Sequence, residues 1–289
     1  MSLAILFLVL ASAFMHPLRE FLVKGDQTPS GVALAVVIHF CIFSGIQTWL
    51  IGADPWIAYN VWPTMLVSGL GTLFYYWCVL MTLKVGDLSV YYPIIRSSPL
   101  FVVIVGFLFL NHTFSLMMLS GIALILCGAF LIQYQPGGGT FSHPRTLVLA
   151  VLALCSHGVI TLADAESMKV AEPSSYLFAQ YIFMIPGMII VSFATKPREQ
   201  SLSHHLFSGW KRTPRRFILA GSMSYASYYL ILWAFQLGGS AAAVSSVRLA
   251  SIPLSVILGC ILYKEERMNA RLAWSILITI GIVVIIYAK

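Results

Sequence analysis

The sequence predicts an all-α integral membrane protein in which ten transmembrane helices form two inverted five-helix repeats (5+5) around a central cavity. Three observations lead to this prediction. The chain is 59% hydrophobic and 9% charged, whereas soluble domains carry about 25% charged residues. It contains ten apolar segments close to the roughly 20 residues that cross a bilayer. Unusual polar residues also recur at matching places in its two halves.

The apolar segments divide the chain into two repeats. The first covers residues 1–135 and the second 145–289, with a Gly-rich linker over 136–144. The longest connection, at 196–214, is too short to fold alone, so we expect a single membrane domain. The predicted spans are 2–23, 30–51, 61–83, 88–110, 114–133, 146–168, 174–195, 215–237, 240–262 and 270–288.

The two halves match in detail. Residues 6–17 resemble residues 147–158, so we expect the N-terminal segment to be the first span and not a cleaved signal peptide. Because five crossings reverse the direction of the chain, the halves are expected to lie upside down relative to each other. The matching polar pairs are His16-Pro17 with His157-Gly158, Tyr75-Tyr76 with Tyr228-Tyr229, and Arg96 with Arg248.

The net charge of +7 is sorted by membrane side, so it does not indicate a nucleic-acid partner. The connections after spans 1, 3, 5, 7 and 9 carry most of the Lys and Arg residues, and the other side carries only Lys169 and Lys289. The positive-inside rule then places both termini outside and the basic 196–216 loop in the cytoplasm. We expect a bacterial inner membrane, with the lipid bilayer as partner and the basic loop at anionic headgroups.

Arg96 and Arg248 are the leading candidates for a binding site. Each lies about eight residues into its span, where a charged side chain costs about 2.5–3.5 kcal/mol to insert. A guanidinium group is a permanent cation whose planar fork matches carboxylate or phosphate. The alternative is structural, since Pro93, Pro99 and Pro253 lie nearby and free carbonyl groups that an arginine can bind.

Helical spacing places Tyr92 on the face of Arg96 and Ser245 on the face of Arg248. Both are therefore candidate substrate-binding residues. The aromatic face of one helix and the small face of the other predict a roomy cavity between them.

Four other titratable residues are candidates for proton coupling. His16 and His157 lie near the middle of spans 1 and 6, and histidine titrates close to neutral pH. Both are also candidates for substrate contact, although hydrogen-bonded packing histidines are the plainer interpretation. Asp164 and Glu166 lie near the outer end of span 6. Their position favours solvated residues at the mouth over a coupling role.

A set of aromatic residues offers a candidate cavity lining. Tyrosine hydroxyl groups buried in a membrane need polar partners, so several of these side chains are expected to face the bundle interior. Plain core packing is an equally good interpretation. The candidates are Tyr75, Tyr76, Trp77, Tyr228 and Tyr229.

The sequence contains none of the common enzyme motifs, such as HExxH, a P-loop or GxSxG. The five cysteines all fall inside predicted spans without metal-ligand spacing. We therefore predict a protein that is not an enzyme, with no cofactor and no metal site.

The chain resembles the drug/metabolite transporter superfamily, in particular its EamA-like ten-span members, over its whole length. Two Gly-containing junctions carry the resemblance: "LKVGDLSVYYPIIRSSPLFVVIVGFLFL" at 83–110 and "FQLGGSAAAVSSVRLASIPLSVILGCILYKEERM" at 235–268. It implies that spans 1–4 and 6–9 surround the cavity and that spans 5 and 10 are peripheral. The chain departs from the family where His16-Pro17 replaces a common Trp-Gly, so the resemblance leaves the substrate class open.

These observations predict a secondary-active transporter of a small polar organic metabolite, working by alternating access. The paired arginines favour an anion or zwitterion with a carboxylate, phosphate or phosphonate group. Two alternatives remain open: an amine or quaternary ammonium substrate held by aromatic rings, and a flippase for a lipid-linked metabolite. Coupling to a proton or to a counter-substrate, and a monomeric or homodimeric state, also remain open.

Overall fold

The computed structural model describes residues 1–23, 29–85, 94–133, 144–196, 199–212, 214–254 and 268–288. All regular secondary structure in these ranges is helical, which confirms the prediction of an all-α protein. The helices are α1 (Leu3–Val23), α2 (Pro29–Leu50), α3 (Trp62–Val85), α4 (Ser98–Phe109), α5 (Leu116–Gln133), α6 (Pro144–Ser167), α7 (Pro173–Thr195), α8 (Leu202–Arg212), α9 (Pro214–Gln236), α10 (Ala241–Val247) and α11 (Met268–Tyr287). Two 3-10 segments lie at Pro55–Val61 and Arg248–Ala250.

Within the described residues, five helical segments are long and apolar enough to cross a membrane: Ser30–Leu50, Pro55–Thr82, Pro144–Ser167, Pro173–Thr195 and Pro214–Gln236. Five shorter apolar helices accompany them, at Leu3–Met15, Ser98–Phe109, Leu116–Ile132, Ala241–Leu254 and Ala273–Tyr287. Each predicted span overlaps one of these ten segments. The number of membrane crossings stays a prediction.

Prolines and capping side chains set where several helices begin. α2, α6, α7 and α9 each start at a proline, whose fixed φ and missing N–H suit the first helical position. Glu172 precedes α7, and its carboxylate accepts a hydrogen bond from the backbone N–H of Ser175 at 2.8 Å. Ser240 caps α10 in the same way, accepting from the N–H of Ala243 at 3.3 Å. Such caps satisfy donors that the first turn leaves unpaired.

The two halves of the chain interlock through pairs of helices. The most extensive contacts join α3 with α6, α5 with α11, α1 with α9 and α2 with α7. Each pair takes one helix from the first half and one from the second. The interior of the bundle is therefore built between the halves rather than within either of them.

Glycines bring α5 and α11 close together. A Cβ atom on Gly121 would lie 2.9 Å from the carbonyl oxygen of Gly281, and one on Gly281 would lie 2.7 Å from that of Gly121. Such distances are too short for a side chain, so this crossing requires glycine on both helices. α5 and α11 contact mainly each other, which leaves the other long helices to surround the interior.

The basic connection between α7 and α9 contains the short helix α8, which the sequence analysis did not predict. α8 packs against α2. Nε2 of His205 lies 2.9 Å from the hydroxyl oxygen of Ser30, and the ring of Trp210 stacks on that of His39 with centroids 5.8 Å apart. This segment is too short to be a domain, but it is anchored to the bundle by its buried face.

Candidate functional site

A central cavity with two adjoining chambers lies between the halves. The larger chamber has a volume of about 270 Å³ and the smaller one about 40 Å³. The chambers share six lining residues: Tyr75, Arg96, His157, Ile160, Tyr228 and Arg248. The larger chamber adds mostly aromatic and hydroxyl side chains, among them Phe40, Tyr76, Tyr181, Ser224 and Ser227. The smaller chamber adds Ser98, Thr161, Asp164 and Ser245.

Both candidate arginines line this cavity, and each lies where its helix is interrupted. Arg96 ends a helical turn at 94–96, and α4 begins only after the turn at Ser97. Arg248 begins the 3-10 turn 248–250 that follows α10. Short 3-10 stretches inside helices often mark a hinge or a functional site. The structure therefore brings together two residues that are 152 positions apart, from 248 − 96, at matching irregularities.

Arg248 lies against an aromatic ring of the cavity wall. Its guanidinium carbon is 5.6 Å from the centroid of the Tyr228 ring, within the range of a cation–π contact. Arg248 lines both chambers, so this contact supports its guanidinium group at the cavity wall.

Asp164 is buried, with 1% of its surface exposed, so the prediction of a solvated residue at the mouth is wrong for it. Oδ1 accepts hydrogen bonds from the hydroxyl groups of Ser68 at 2.6 Å and Tyr176 at 2.8 Å. Oδ2 accepts a hydrogen bond from the hydroxyl group of Tyr228. The three donors belong to α3, α7 and α9, which cover the C-terminal end of α6. The position of Asp164 within its predicted span could not reveal that three other helices pack over it.

Glu166, two residues further along α6, is solvated as predicted. It forms an ion pair with Lys169 at 2.5 Å, and the two side chains are 59% and 66% exposed. Successive residues of a helix point about 100° apart, so two positions on α6 separate a buried carboxylate from an exposed one.

His157 lines both chambers. Its Nδ1 lies 2.8 Å from the hydroxyl oxygen of Ser98, and its ring centroid is 5.5 Å from that of Tyr75. His16 lies within α1, but its side chain is outside the described part of the structure. Tyr92 lies outside the described residues.

The remaining candidates divide between the cavity and its surroundings. Tyr76 lines the larger chamber, and Ser245 lines the smaller one while its hydroxyl group donates to the carbonyl of Ala241 at 2.6 Å. Trp77 and Tyr229 are not among the residues lining these two chambers. Trp77 stacks on Phe74 at 5.7 Å, because it points about 100° away from Tyr76 on the same helix.

Sequence reasoning missed the residues that surround Asp164. Neither Tyr176 nor Ser68 was predicted to be a site residue. Gln180, one turn after Tyr176, is 3% exposed, and its side-chain amide donates to the Tyr176 hydroxyl oxygen at 3.5 Å. The spacing of four between Tyr176 and Gln180 was the one available signal, since it places two polar side chains on one face of an apolar helix.

These features define a class of protein. Large apolar side chains cover the outside of the bundle, among them Phe107, Phe109, Phe183 and Ile190, which are 59–74% exposed. Charged and hydroxyl side chains line the interior cavity instead. An apolar exterior around a polar cavity is the arrangement expected of a membrane protein that handles a polar molecule.

The chain belongs to the EamA-like transporter family of the drug/metabolite transporter superfamily, whose sequence model matches residues 1–134 and 144–287. The predicted resemblance is therefore confirmed. Members of the family are membrane transporters and not enzymes, which makes a small molecule and the lipid bilayer the partners of this protein.

Solved structures share the fold. Matches extend to 29 chains, and one of them, titled only "Crystal structure of protein", superposes with a TM-score of 0.77 at 14% sequence identity. That match covers 97% of this chain and 94% of the other. At this identity the likeness concerns the fold alone. No curated protein sequence matches the chain.

Proposed function

We propose that this protein is a secondary-active transporter of a small polar organic anion or zwitterion that carries a carboxylate, phosphate or phosphonate group. One observation carries the proposal: Arg96 and Arg248, one from each half, line the same cavity. Two guanidinium groups at one cavity suit an anionic substrate, because the planar fork of a guanidinium group matches a carboxylate or phosphate group.

The charges of the cavity wall support this substrate class. Among the described lining residues of the two chambers, the side chains that carry a full charge at neutral pH are Arg96, Arg248 and, when ionised, Asp164. Positive charge therefore exceeds negative charge. A carboxylate or phosphonate group would bind the arginines through paired N–H···O bonds, and the hydroxyl groups of Tyr75 and Tyr76 are suited to the remaining polar atoms.

Alternating access is supported by how the helices pair. If α1 to α5 correspond to α6, α7, α9, α10 and α11, exchanging the halves turns the α1–α9 pair into the α6–α3 pair. The same exchange leaves α2–α7 and α5–α11 unchanged. These are the most extensive contacts of the bundle. Such pairing is expected of inverted repeats, in which one half rocks against the other around a central site with broken helices.

The proposed orientation follows from the positive-inside rule. Both termini would lie outside a bacterial inner membrane, and the connection that contains α8 would lie in the cytoplasm. This connection is rich in Lys and Arg, as is expected of a segment next to the anionic headgroups of the cytoplasmic leaflet.

A cation held by aromatic rings is the less favoured alternative. The ring of Tyr228 already faces the guanidinium group of Arg248, and all three hydroxyl groups around Asp164 already bind its carboxylate. A quaternary ammonium group that binds at Tyr228 or Asp164 would have to displace one of these partners.

A flippase for a lipid-linked metabolite is favoured by one separate feature. An apolar groove of about 340 Å³ lies between α3 and α7, lined by Trp62, Leu66, Leu70 and Phe183 among others. Gln180 also lines this groove, and its amide binds the hydroxyl group that bonds to Asp164. The side chains of Gln180 and Tyr176 would thus connect a lipid tail in the groove with the carboxylate of the cavity.

The test is ligand-dependent thermal stabilisation of the purified protein. The probes are methylphosphonate, succinate, glutamate and choline, each compared for wild type, Arg96→Gln, Arg248→Gln and Arg216→Gln. Arg216 is exposed outside the cavity, so its variant loses one positive charge and controls for net charge. A ligand that binds the folded state raises the melting temperature with its concentration.

We expect at least one of the three anionic or zwitterionic probes to stabilise wild type and Arg216→Gln but neither cavity variant. Stabilisation by choline alone, retained in both cavity variants, would overturn the anion proposal and favour the cation alternative. Stabilisation of wild type by dodecyl phosphate, added as a fifth probe, and by none of the other four probes would favour the flippase.

A further inference from the structure

We infer that Asp164 is the proton-binding group that couples transport to a proton, and that Tyr228 conveys its charge state to Arg248. The inference deepens the proposed function and rests on it for the identity of the coupled anion. Its structural basis is a chain of contacts from the carboxylate to the guanidinium group through one tyrosine.

The two oxygens of Asp164 differ in how they are bound. Among the described residues, Oδ1 accepts two hydrogen bonds, from Ser68 and Tyr176, whereas Oδ2 accepts one, from Tyr228. A carboxylate oxygen has two acceptor positions, so Oδ1 is fully used and Oδ2 has one position left. A proton taken from water would therefore bind at Oδ2. Asp164 also lines the smaller chamber, which gives the cavity access to it.

Protonation at Oδ2 would act first on Tyr228. Its hydroxyl group donates to that oxygen, and a neutral carboxyl oxygen accepts a weaker hydrogen bond than a carboxylate does. Ser68 and Tyr176 donate to Oδ1, which does not carry the proton, so their hydrogen bonds change less. The hydrogen bond from Tyr228 is therefore the one that weakens most when Asp164 is protonated.

Tyr228 in turn supports Arg248. The guanidinium carbon lies 5.6 Å from the ring centroid, so a movement of the ring changes the support of the arginine. Protonation also removes the negative charge that would repel a bound anion. The loss of this repulsion favours anion binding when Asp164 is protonated, and by thermodynamic reciprocity a bound anion favours protonation.

Other charged and titratable groups lie around Asp164. Tyr176 and Tyr228 donate to it, Arg248 contacts Tyr228, and Arg96, His157 and Tyr75 line the same chamber. His157 is the group that competes as a proton site near neutral pH. Glu166 lies on the exposed side of α6 in an ion pair with Lys169.

The first arm of the test needs no substrate. Infrared difference spectra of the purified protein between high and low pH should contain a protonated carboxyl band that is absent in Asp164→Asn and retained in Glu166→Gln and His157→Gln. In wild type, adding Arg248→Gln should change the pH dependence of this band. In a Tyr228→Phe background the same substitution should change it much less, as a double-mutant cycle shows.

Tyr176→Phe is the matched control, since it removes a tyrosine hydroxyl from the same carboxylate but from Oδ1. We expect the effect of Arg248→Gln on the band to persist in this background. Loss of the effect in both tyrosine backgrounds, or in neither, would overturn the role of Tyr228. A band retained in Asp164→Asn would overturn the role of Asp164. Because Tyr228→Phe and Tyr176→Phe keep the carboxylate, they also test the inference if Asp164→Asn does not fold.

The second arm uses the anionic probe that stabilises wild type most. Its affinity should increase as pH falls, up to about tenfold per pH unit, with proton uptake recorded by a pH indicator in weak buffer. In Asp164→Asn the affinity should change with pH only as far as the ionisation of the probe itself changes. If the affinity of Asp164→Asn for the probe still depends strongly on pH, and that of His157→Gln does not, the proton binds to His157 instead. If no anion binds wild type, the proposed function fails, while the infrared arm still decides the inference about Asp164 and Tyr228.

Discussion

Two helix pairs, α3–α6 and α1–α9, join the halves of the molecule with different chemistry. In the described part of α1–α9, Ser12 and Ser227 form the polar side-chain contact, with hydroxyl oxygens 2.9 Å apart. In α3–α6, Ser68 donates to the buried carboxylate of Asp164 at 2.6 Å, and Ser156 donates to the carbonyl of Gly71 at 2.8 Å. Among the described side chains, the α3–α6 contacts include a buried carboxylate, whereas the α1–α9 contact joins two hydroxyl groups.

This difference separates architecture from function. Both pairs bury small polar side chains and bring helices of opposite halves into contact, so a neutral interface is sufficient for packing. The carboxylate adds a group whose charge can change during a transport cycle. Under the proposed rocking of the halves, only the α3–α6 side would respond to pH through the residues described here.

The largest effect is expected from moving a carboxylate into the neutral pair. Ser12 is fully buried, and Ser12→Asp would place a charge beside one hydroxyl group instead of three. We expect a loss of about 3–5 kcal/mol, seen as poor yield and a lower melting temperature. Ser12→Asn is the uncharged control of the same shape. Equal stability of the Asp variant and wild type would mean that both interfaces accept a charge.

Removing the carboxylate from the charged pair should have the next largest effect. Asp164→Ala leaves three buried hydroxyl groups without their acceptor, at a cost of about 2–3 kcal/mol. Thermal unfolding of the purified protein measures it. Asp164→Asn keeps an acceptor oxygen and should lose less. A cost below that of Ser227→Ala would show that the network contributes little to stability.

The neutral pair should respond less to a deletion. Ser227→Ala removes the hydroxyl that contacts the Ser12 side chain and donates to the Ser12 carbonyl at 3.0 Å. A hydrogen bond of this kind contributes about 1 kcal/mol. Melting curves of Ser227→Ala, Ser12→Ala and the double variant measure the coupling of the two serines. Additive losses would indicate that their contact contributes nothing.

The smallest effect is expected at the exposed carboxylate of the same helix. Glu166→Gln breaks only a surface ion pair with Lys169, which contributes at most about 0.5 kcal/mol. Stability and the pH dependence of ligand binding should stay as in wild type. A loss of pH dependence in this variant would assign the coupling role to Glu166 instead of Asp164.

Much of the candidate site could be predicted from the sequence because membrane insertion makes polar residues conspicuous. Arg96 and Arg248 stood out by charge, His157 by position, and Tyr75, Tyr76 and Tyr228 by recurrence, and all of them line the cavity. Ser68 and Tyr176 did not stand out, since a serine or tyrosine in an apolar segment is also common in helix packing.

The sequence by itself determined the all-α architecture and its family, because apolar length and recurring residues are local properties of the chain. The tertiary structure alone decided that Asp164 is buried while Glu166 is exposed, and that Tyr228 contacts both Asp164 and Arg248. Burial depends on which helices pack against a given face. Those helices lie far away along the chain, so no local pattern specifies them.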